Sequence, residues 1–179
     1  MNETVFYAAT SADGFLAGQN GDMSWAEKYL ATGEDYGFAE LMSRSTAVIM
    51  GRATFEFEVE AGVSGERLLP TYVLTHIPEL YQNANQENLH FVGGEIGEVM
   101  ALIRAHHPGQ IFVMGGANVV SQLIEAGQLD VLRIFTAPDV LGDGTALFNT
   151  DAWRAGFAVE STRAFRSGLV ETVYRKVNA

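Results

Sequence analysis

The sequence predicts an α/β fold of three layers, in which a mostly parallel mixed sheet carries helices on both faces and ends in an antiparallel hairpin. Short apolar runs alternate with segments of helical periodicity over most of the chain. Most of these runs end at a turn rich in glycine or polar residues. The last two apolar segments, 157–164 and 169–177, are separated only by a short turn, which favours a hairpin.

Six earlier segments are predicted to be strands because they are short, apolar and bounded by turn residues. They are 5–10, 46–50, 72–75, 89–92, 111–114 and 129–136. Helices are predicted where apolar residues recur at intervals of three and four. They are 34–43, 96–106 and a segment that begins near Asn118 and ends before Gly127, with a further short helix starting after Gly51.

Two of the strand ends share one pattern, a strand followed by glycine and then by a helix start. Gly115 and Gly116 follow one strand, and Gly51 with Arg52 follows another. Amide groups at a helix N-terminus, together with the helix dipole, favour an anion, and a missing β-carbon lets a pyrophosphate approach the backbone. A tight turn without a ligand accounts for a lone glycine pair equally well, so the second turn, with its arginine, strengthens the anion hypothesis.

Length and composition restrict the function. The 179 residues fit a single domain, 1–179, without a linker-like tract, an apolar run long enough for a membrane span, or a secretory signal, so we expect a cytoplasmic protein. The absence of cysteine excludes disulfides and thiolate zinc ligands. The net charge of −11 disfavours nucleic acid as a partner but permits one phosphorylated cofactor.

No metal site is predicted. The acids Glu56, Glu58 and Glu60 lack a nearby histidine or aspartate to complete a ligand set, so a solvated edge is favoured. The neighbouring His106 and His107 would point about 100° apart on a helix, which suits a helix end better than a metal. The glycine-rich stretch from Ser11 to Trp25 is long enough to be a mobile flap over a site, although a plain surface loop is the alternative.

Five stretches, in this order and at plausible spacing, resemble the dihydrofolate reductase-like superfamily. Within it they are similar to the C-terminal reductase domain of the bifunctional riboflavin-biosynthesis (RibD-type) proteins. The resemblance covers nearly the whole chain. The stretches are ATSADG at 9–14, VIMGRATFE at 48–56, VLT at 73–75, VMGGAN at 113–118, and Pro138 followed by LGDG at 141–144 and Leu147-Phe148.

The resemblance implies that NADPH binds across the strand ends. It assigns Gly51, Arg52 and Thr54 to the cofactor phosphates, and Thr75 and His76 to the adenosine 2′-phosphate. It also implies a cis peptide between the two glycines that follow the 111–114 strand. The remaining cofactor residues lie near the nicotinamide or the pyrophosphate: Ala9, Met114, Gly115, Gly116, Ala117, Asn118 and Val119.

The same resemblance suggests a catalytic acid and a substrate cleft. Asp35 matches the carboxylate that assists substrate protonation, and Thr136 the threonine that hydrogen-bonds it; a helix-start acid is the alternative for Asp35. Leu69 stands where folate reductases have an arginine, with Arg67 nearby. The riboflavin-pathway reductases carry basic residues at two of the cleft positions, so this cleft is more apolar and suits a flat heterocycle. It is lined by Tyr7, Phe15, Trp25 and Leu69.

The favoured function is an NADPH-dependent reductase that passes hydride to a pteridine-like or pyrimidine-like heterocycle. One alternative is a standalone 5-amino-6-(5-phosphoribosylamino)uracil reductase of riboflavin biosynthesis. Another, of a different class, is a catalytically silent dinucleotide-binding module. The resemblance further implies a homodimer.

Overall fold

The computed structural model describes residues 2–62, 65–84, 87–148 and 155–177. Its strands are β1 (Thr4–Thr10), β2 (Phe15–Ala17), β3 (Ser45–Gly51), β4 (Thr71–Leu74), β5 (Leu89–Val92), β6 (Gln110–Gly115), β7 (Val131–Thr136), β8 (Thr145–Ala146), β9 (Phe157–Ala164) and β10 (Val170–Lys176). Its α-helices are α1 (Ser24–Leu30), α2 (Phe38–Arg44), α3 (Arg52–Glu60), α4 (Ile96–His106) and α5 (Ala117–Glu125). Short 3-10 turns lie at Gln19–Gly21 and Pro78–Ala84.

Eight strands form one sheet in the order β5-β4-β3-β6-β1-β7-β10-β9. The strands from β5 to β7 run parallel to their neighbours, whereas β10 is antiparallel to both β7 and β9. The remaining two, β2 and β8, pair antiparallel as a separate ribbon. The predicted mixed sheet with a C-terminal antiparallel hairpin is therefore confirmed.

Helices pack on both faces of the sheet, as predicted. Alternate residues of β1 divide between the two cores, since Phe6 packs with α4 and α5 while Val5 packs on the side of α2. On the first face, Met100 and Leu123 are fully buried. On the second, Leu41 of α2 is buried against the sheet. This arrangement makes three layers and leaves the carboxyl ends of the parallel strands at one edge.

Three local features differ from the prediction. Helix α2 begins at Phe38 rather than at residue 34, because Tyr36 and Gly37 adopt left-handed backbone conformations, with φ of 54° and 78°. Helix α3 continues for nine residues and places Glu56, Glu58 and Glu60 on a helix. The segment predicted as a loop from Ser11 to Trp25 contains β2 and the start of α1. Within the described residues, no helix combines the length and apolarity needed to cross a bilayer.

Candidate active site at the carboxyl edge of the sheet

The two glycine turns meet at the edge of the sheet. Strands β3 and β6 are hydrogen-bonded neighbours, with Met50 paired to Gly115. A β-carbon added at Gly51 would lie 3.8 Å from the Gly116 nitrogen and 3.1 Å from a methyl group of Val119. The turns are thus in contact, although the residues that form them are more than sixty positions apart in the chain.

Both turns lead into helices whose first amides have no side-chain cap. Gly51 is the N-cap residue of α3 and Gly116 that of α5. Neither helix has a side-chain hydrogen bond at its N-cap. Unpaired amides and the positive ends of two helix dipoles therefore lie side by side. A β-carbon at Gly116 would lie 3.3 Å from the Thr54 hydroxyl oxygen, so the absence of a side chain keeps this cradle open. The cradle fits a pyrophosphate.

The peptide bond between Gly115 and Gly116 is cis. This confirms the conformation that the family resemblance implied for the pair.

The other turns predicted to bind cofactor follow along the same edge. Gly51 pairs with Leu74 of β4, so the turn at Thr75 and His76 begins beside Arg52. Thr75 is buried; its amide donates to the Val92 carbonyl at 2.9 Å, and its hydroxyl accepts from the Ile77 amide at 3.3 Å. On the opposite side of β6, Ala9 lies near the end of β1. The sheet order β4-β3-β6-β1 therefore brings the predicted cofactor residues into one row.

A clamp of two aspartates fixes the segment that precedes α2. The Asp13 carboxylate accepts from the amides of Leu141 at 3.1 Å and Gly142 at 2.7 Å. The Asp139 carboxylate accepts from the Lys28 ammonium at 2.6 Å and from the Tyr29 hydroxyl. We call the segment from Ser11 to Leu30 the flap; it is held to the 139–146 loop at both ends and through the β2–β8 ribbon.

Hydrogen bonds lower the pKa of both clamp acids. The Ser11 hydroxyl contributes most at Asp13, followed by the backbone amides of Gly142 and Leu141, and the pKa falls to about 2. Lys28 contributes most at Asp139, followed by Tyr29. Both carboxylates are therefore ionised at neutral pH, as their acceptor roles require.

The predicted substrate residues occupy neighbouring but different positions. Tyr7 and Trp25 both pack against the aromatic cluster of Tyr29, Tyr36 and Phe135. The other two predicted residues do not belong to that cluster. Phe15 lies on β2 in the flap, paired with Ala146, and Leu69 packs against the apolar core on the face of α2.

Trp25 carries a buried donor without a partner. Its indole Nε1 is shielded from solvent and has no hydrogen-bond acceptor among the described residues. Buried N–H groups are rarely left unpaired, so an oxygen or nitrogen acceptor is expected beside this ring.

Tyr7 is packed among other side chains of the protein and does more than line the predicted cleft. Its ring packs 4.7 Å from that of Phe135, its hydroxyl donates to the Tyr36 carbonyl at 3.3 Å, and the Arg133 guanidinium lies 5.4 Å from its centroid. Burial raises the pKa of the Tyr7 hydroxyl to about 12, and the charge of Arg133 acts in the opposite direction. Arg133 is itself paired with Glu171 at 2.6 Å.

Asp35 lies in the turn before α2, and within the described residues it makes no hydrogen bond to Thr136, contrary to the prediction. The Asp35 side chain is exposed and accepts from the Ala39 amide at 3.1 and 3.2 Å, which is the contact of a helix-start acid. Thr136 ends β7, partly buried, and pairs with Thr10 of β1. In the structure Asp35 hydrogen-bonds an amide in the first turn of α2. Its role in catalysis stays a prediction.

Arg67 is already occupied. Its guanidinium pairs with Glu58 at 2.7 Å and lies 5.8 Å from the centre of the Phe55 ring. Only 12% of its side chain is exposed. A substrate carboxylate would have to displace Glu58 from Arg67. Arg67 therefore does not take the role of the arginine that folate reductases have at the position of Leu69.

Two hydrogen bonds beside the predicted site were not predicted from the sequence. One carboxylate oxygen of Glu56 accepts a hydrogen bond from the Arg52 guanidinium and another from the Tyr81 hydroxyl. The spacing of four residues between Arg52 and Glu56 on a helix could have indicated the first contact. Nothing in the sequence indicates the second, because Tyr81 reaches α3 from a different turn.

A cavity of about 300 Å³ lies elsewhere, on the face of α2. Its lining includes Glu3, Gln110 and Val131, which lie before or at the start of β1, β6 and β7. It is therefore at the amino ends of the strands, whereas ligands of parallel sheets bind beyond the carboxyl ends. Within the part of the chain that the structure describes, no group of three histidine or carboxylate side chains could hold a metal ion.

Known proteins of similar sequence match nearly the whole chain. The chain matches the family model of the RibD C-terminal domain over residues 4–170. It is 26% identical over 174 residues to the uncharacterized protein YyaP of Bacillus subtilis, with 93% of this chain and 90% of that protein covered.

Two solved structures show the same fold. A putative riboflavin biosynthesis protein from Shewanella sp. PV-4 superposes with a TM-score of 0.83 at 24% identity, covering 99% of this chain and 100% of that one. Dihydrofolate reductase from Enterococcus faecalis, solved with NADP(H), superposes with a TM-score of 0.63 at 17% identity, covering 98% and 97%. The fold is therefore dihydrofolate reductase-like.

Proposed function

Since the chain belongs to the RibD C-terminal domain family, we propose that it is an NADPH-dependent reductase that transfers hydride to a pteridine-like or pyrimidine-like heterocycle. The observation that carries the proposal is the contact between the two uncapped helix starts at Gly51 and Gly116. A phosphorylated dinucleotide supplies the negative charge that this pair of helix ends favours. The Enterococcus faecalis enzyme of the same fold was solved with NADP(H), which supports this choice of cofactor.

In this proposal the cofactor lies along the carboxyl edge. Thr54 and the amides at the start of α5 would hold the pyrophosphate, while Thr75 and His76, together with Arg52 at the neighbouring strand end, would receive the adenosine 2′-phosphate. Ala9 and the flap would hold the nicotinamide ring. When bound, the nicotinamide supplies the hydride.

The substrate lies beside Ala9, between the flap and the aromatic cluster. Tyr7 offers aromatic surface there, and the buried Trp25 Nε1 offers one hydrogen bond donor, whereas Phe15 on β2 and Leu69 on the face of α2 would line the site only at its margins. An oxo group on a flat heterocycle satisfies that donor, whereas a purely apolar ring leaves it unpaired. Asp35 and Thr136 are proposed to deliver the proton that accompanies hydride transfer.

The first experiment measures NADPH binding to the whole protein by calorimetry, with Gly116→Ala as the test variant. Gly116 has φ of −81°, outside the left-handed region, and its added β-carbon would lie 3.3 Å from the Thr54 hydroxyl oxygen, so the methyl group narrows the cradle. We expect affinity to fall at least about tenfold, the equivalent of roughly 1.4 kcal/mol. Gly97→Ala is the matched control, because its β-carbon would meet nothing within 4 Å.

The second experiment follows NADPH oxidation with a panel of pterins, pyrimidines and phosphoribosylaminopyrimidines. Turnover of a phosphoribosylated compound alone would favour the uracil reductase of riboflavin biosynthesis. Tight NADPH binding without turnover on any compound would favour a silent dinucleotide-binding module. A wild-type protein that binds no nicotinamide nucleotide at all would refute the proposed function.

A further inference from the structure

Arg52 is held by two side chains at the start of α3. One carboxylate oxygen of Glu56 accepts from the Arg52 Nη1 at 3.1 Å and from the Tyr81 hydroxyl at 3.0 Å. The arginine and the glutamate are about half exposed, at 47% and 43% of their side-chain areas. Glu56 engages a single guanidinium nitrogen of Arg52, and Tyr81, followed by Glu56, raises the pKa of this guanidinium, so an anion would share the remaining donors.

Tyr81 is held rigidly in this contact. Its ring stacks on that of Phe91 at 4.3 Å with an interplanar angle of 10°. Phe91 in turn meets the Phe55 ring edge-on at 5.1 Å. This aromatic stack connects the turn after β4 with α3 and directs the hydroxyl of Tyr81 at Glu56.

The three side chains lie at the adenosine end of the proposed cofactor site. Gly51 pairs with Leu74, so the turn at Thr75 starts on the strand next to Arg52. In Rossmann folds, a carboxylate at the ribose hydrogen-bonds the 2′-hydroxyl and an arginine accommodates a 2′-phosphate, and the same pairing of charges is expected of a carboxylate and an arginine on another fold. This chain has both groups in direct contact, so the 2′-phosphate and Glu56 compete for the same guanidinium.

We propose that Glu56, held in place by Tyr81, determines the choice between NADP and NAD by opposing the 2′-phosphate at Arg52. The inference rests on the proposed function, since it needs a nicotinamide nucleotide along this edge. Beside the Glu56 carboxylate, the 2′-phosphate must displace one hydrogen bond and approach a like charge, while the 2′-hydroxyl of NAD meets neither cost. Preference for NADP over NAD is therefore weaker than Arg52 alone would produce.

The test compares dissociation constants of NADP⁺ and NAD⁺ for wild type and Glu56→Gln, measured by calorimetry at low salt. Glutamine retains the length and one acceptor oxygen but removes the charge. We expect NADP⁺ to bind about fivefold more tightly to the variant and NAD⁺ to change less than about twofold. The gain should shrink as salt is added, since the group is exposed. Arg52→Gln should shift the ratio the opposite way.

Glu60→Gln is the matched control, because it removes the same charge from the same helix one turn further from the cofactor edge. An unchanged NADP⁺ to NAD⁺ ratio in Glu56→Gln, or equal weakening of both nucleotides, overturns the inference while the proposed function stands. Equal gains in Glu56→Gln and Glu60→Gln also overturn it, since they would report only net charge. If neither nucleotide binds the wild type, both proposals are wrong.

Discussion

Tyr7 and Asp35 show at the scale of single residues how packing decides what a side chain can do. The sequence predicts both as parts of a substrate site. In the structure Tyr7 is packed between aromatic rings, and Asp35 is exposed at the start of α2. Burial raises the proton affinity of the first, while the second keeps two contacts with a helix amide.

The raised pKa of Tyr7 gives a prediction for alkaline pH. A tyrosine in the unfolded chain ionises near pH 10, whereas Tyr7 in the folded protein keeps its proton up to about pH 12. The folded state therefore binds the extra proton between those values, and the stabilising contribution of Tyr7 is present below about pH 10 and lost as pH rises toward 12.

Absorbance at the tyrosinate band, recorded for wild type and Tyr7→Phe, checks this expectation. The difference between the two titrations should contain a step near pH 12. A difference step near pH 10 in the still-folded protein would show that Tyr7 is not held in a desolvated site.

The substitution Asp35→Asn distinguishes the two roles considered for Asp35, the hydrogen bond at the start of α2 and proton delivery. Asparagine keeps an oxygen that can accept from the Ala39 amide, so the start of α2 should be preserved. If Asp35 takes part in proton delivery, turnover on the true substrate should fall by about a hundredfold while NADPH affinity is unchanged. Steady-state kinetics with parallel binding measurements decide the matter, and unchanged turnover would leave Asp35 as a helix-start acid only.

At the scale of elements, the flap is the part that sequence periodicity describes least well. Its short strand β2 and the seven-residue α1 are ordered by contacts with a distant loop, including those of Asp13 and Asp139. Such partners lie more than a hundred residues away, so local patterns cannot reveal them. The glycine-rich composition predicted a loop, and the structure instead places β2 and the start of α1 there; its position over a site stays a prediction.

The clamp predicts how the flap responds to mutation and to acid. Asp13→Ala removes the acceptors of the Leu141 and Gly142 amides, so hydrogen exchange at these amides should accelerate at least about tenfold. Because hydrogen bonds depress the pKa of Asp13 to about 2, its contribution is present above about pH 4 and lost as pH falls toward 2.

Hydrogen exchange with mass-spectrometric detection measures both effects. Glu27→Ala, an exposed change on α1, serves as control and should leave the 139–146 loop unchanged. Equal protection of that loop in wild type and Asp13→Ala would show that the Asp13 contact does not restrain it.

At the scale of the whole molecule, the order of strands in the sheet creates the site. Four strand ends from separate regions of the chain become neighbours because β4, β3, β6 and β1 lie side by side. At the other end of the sheet, β9 is an edge strand, and seven of its eight residues are exposed. Exposed edge strands are available for pairing with another chain.

The homodimer implied by the family resemblance remains a prediction. Light scattering coupled to gel filtration should give a mass twice the 19.4 kDa of the single chain. Removing backbone donors from the outer edge by Thr162→Pro should lower that mass if β9 forms the contact, because proline lacks the N–H. A mass of one chain at micromolar concentration would contradict the dimer.

The sequence by itself determined the eight strands of the main sheet, the terminal hairpin and the two glycine turns. The spacing of apolar residues and the positions of turn residues are local signals, so they can be read without knowing the tertiary structure. The tertiary structure alone decided that Gly51 touches Gly116, that Tyr81 reaches Glu56, and that Arg67 is occupied by Glu58. These contacts join residues on separate elements, so they depend on strand order and side-chain packing rather than on any pattern along the chain.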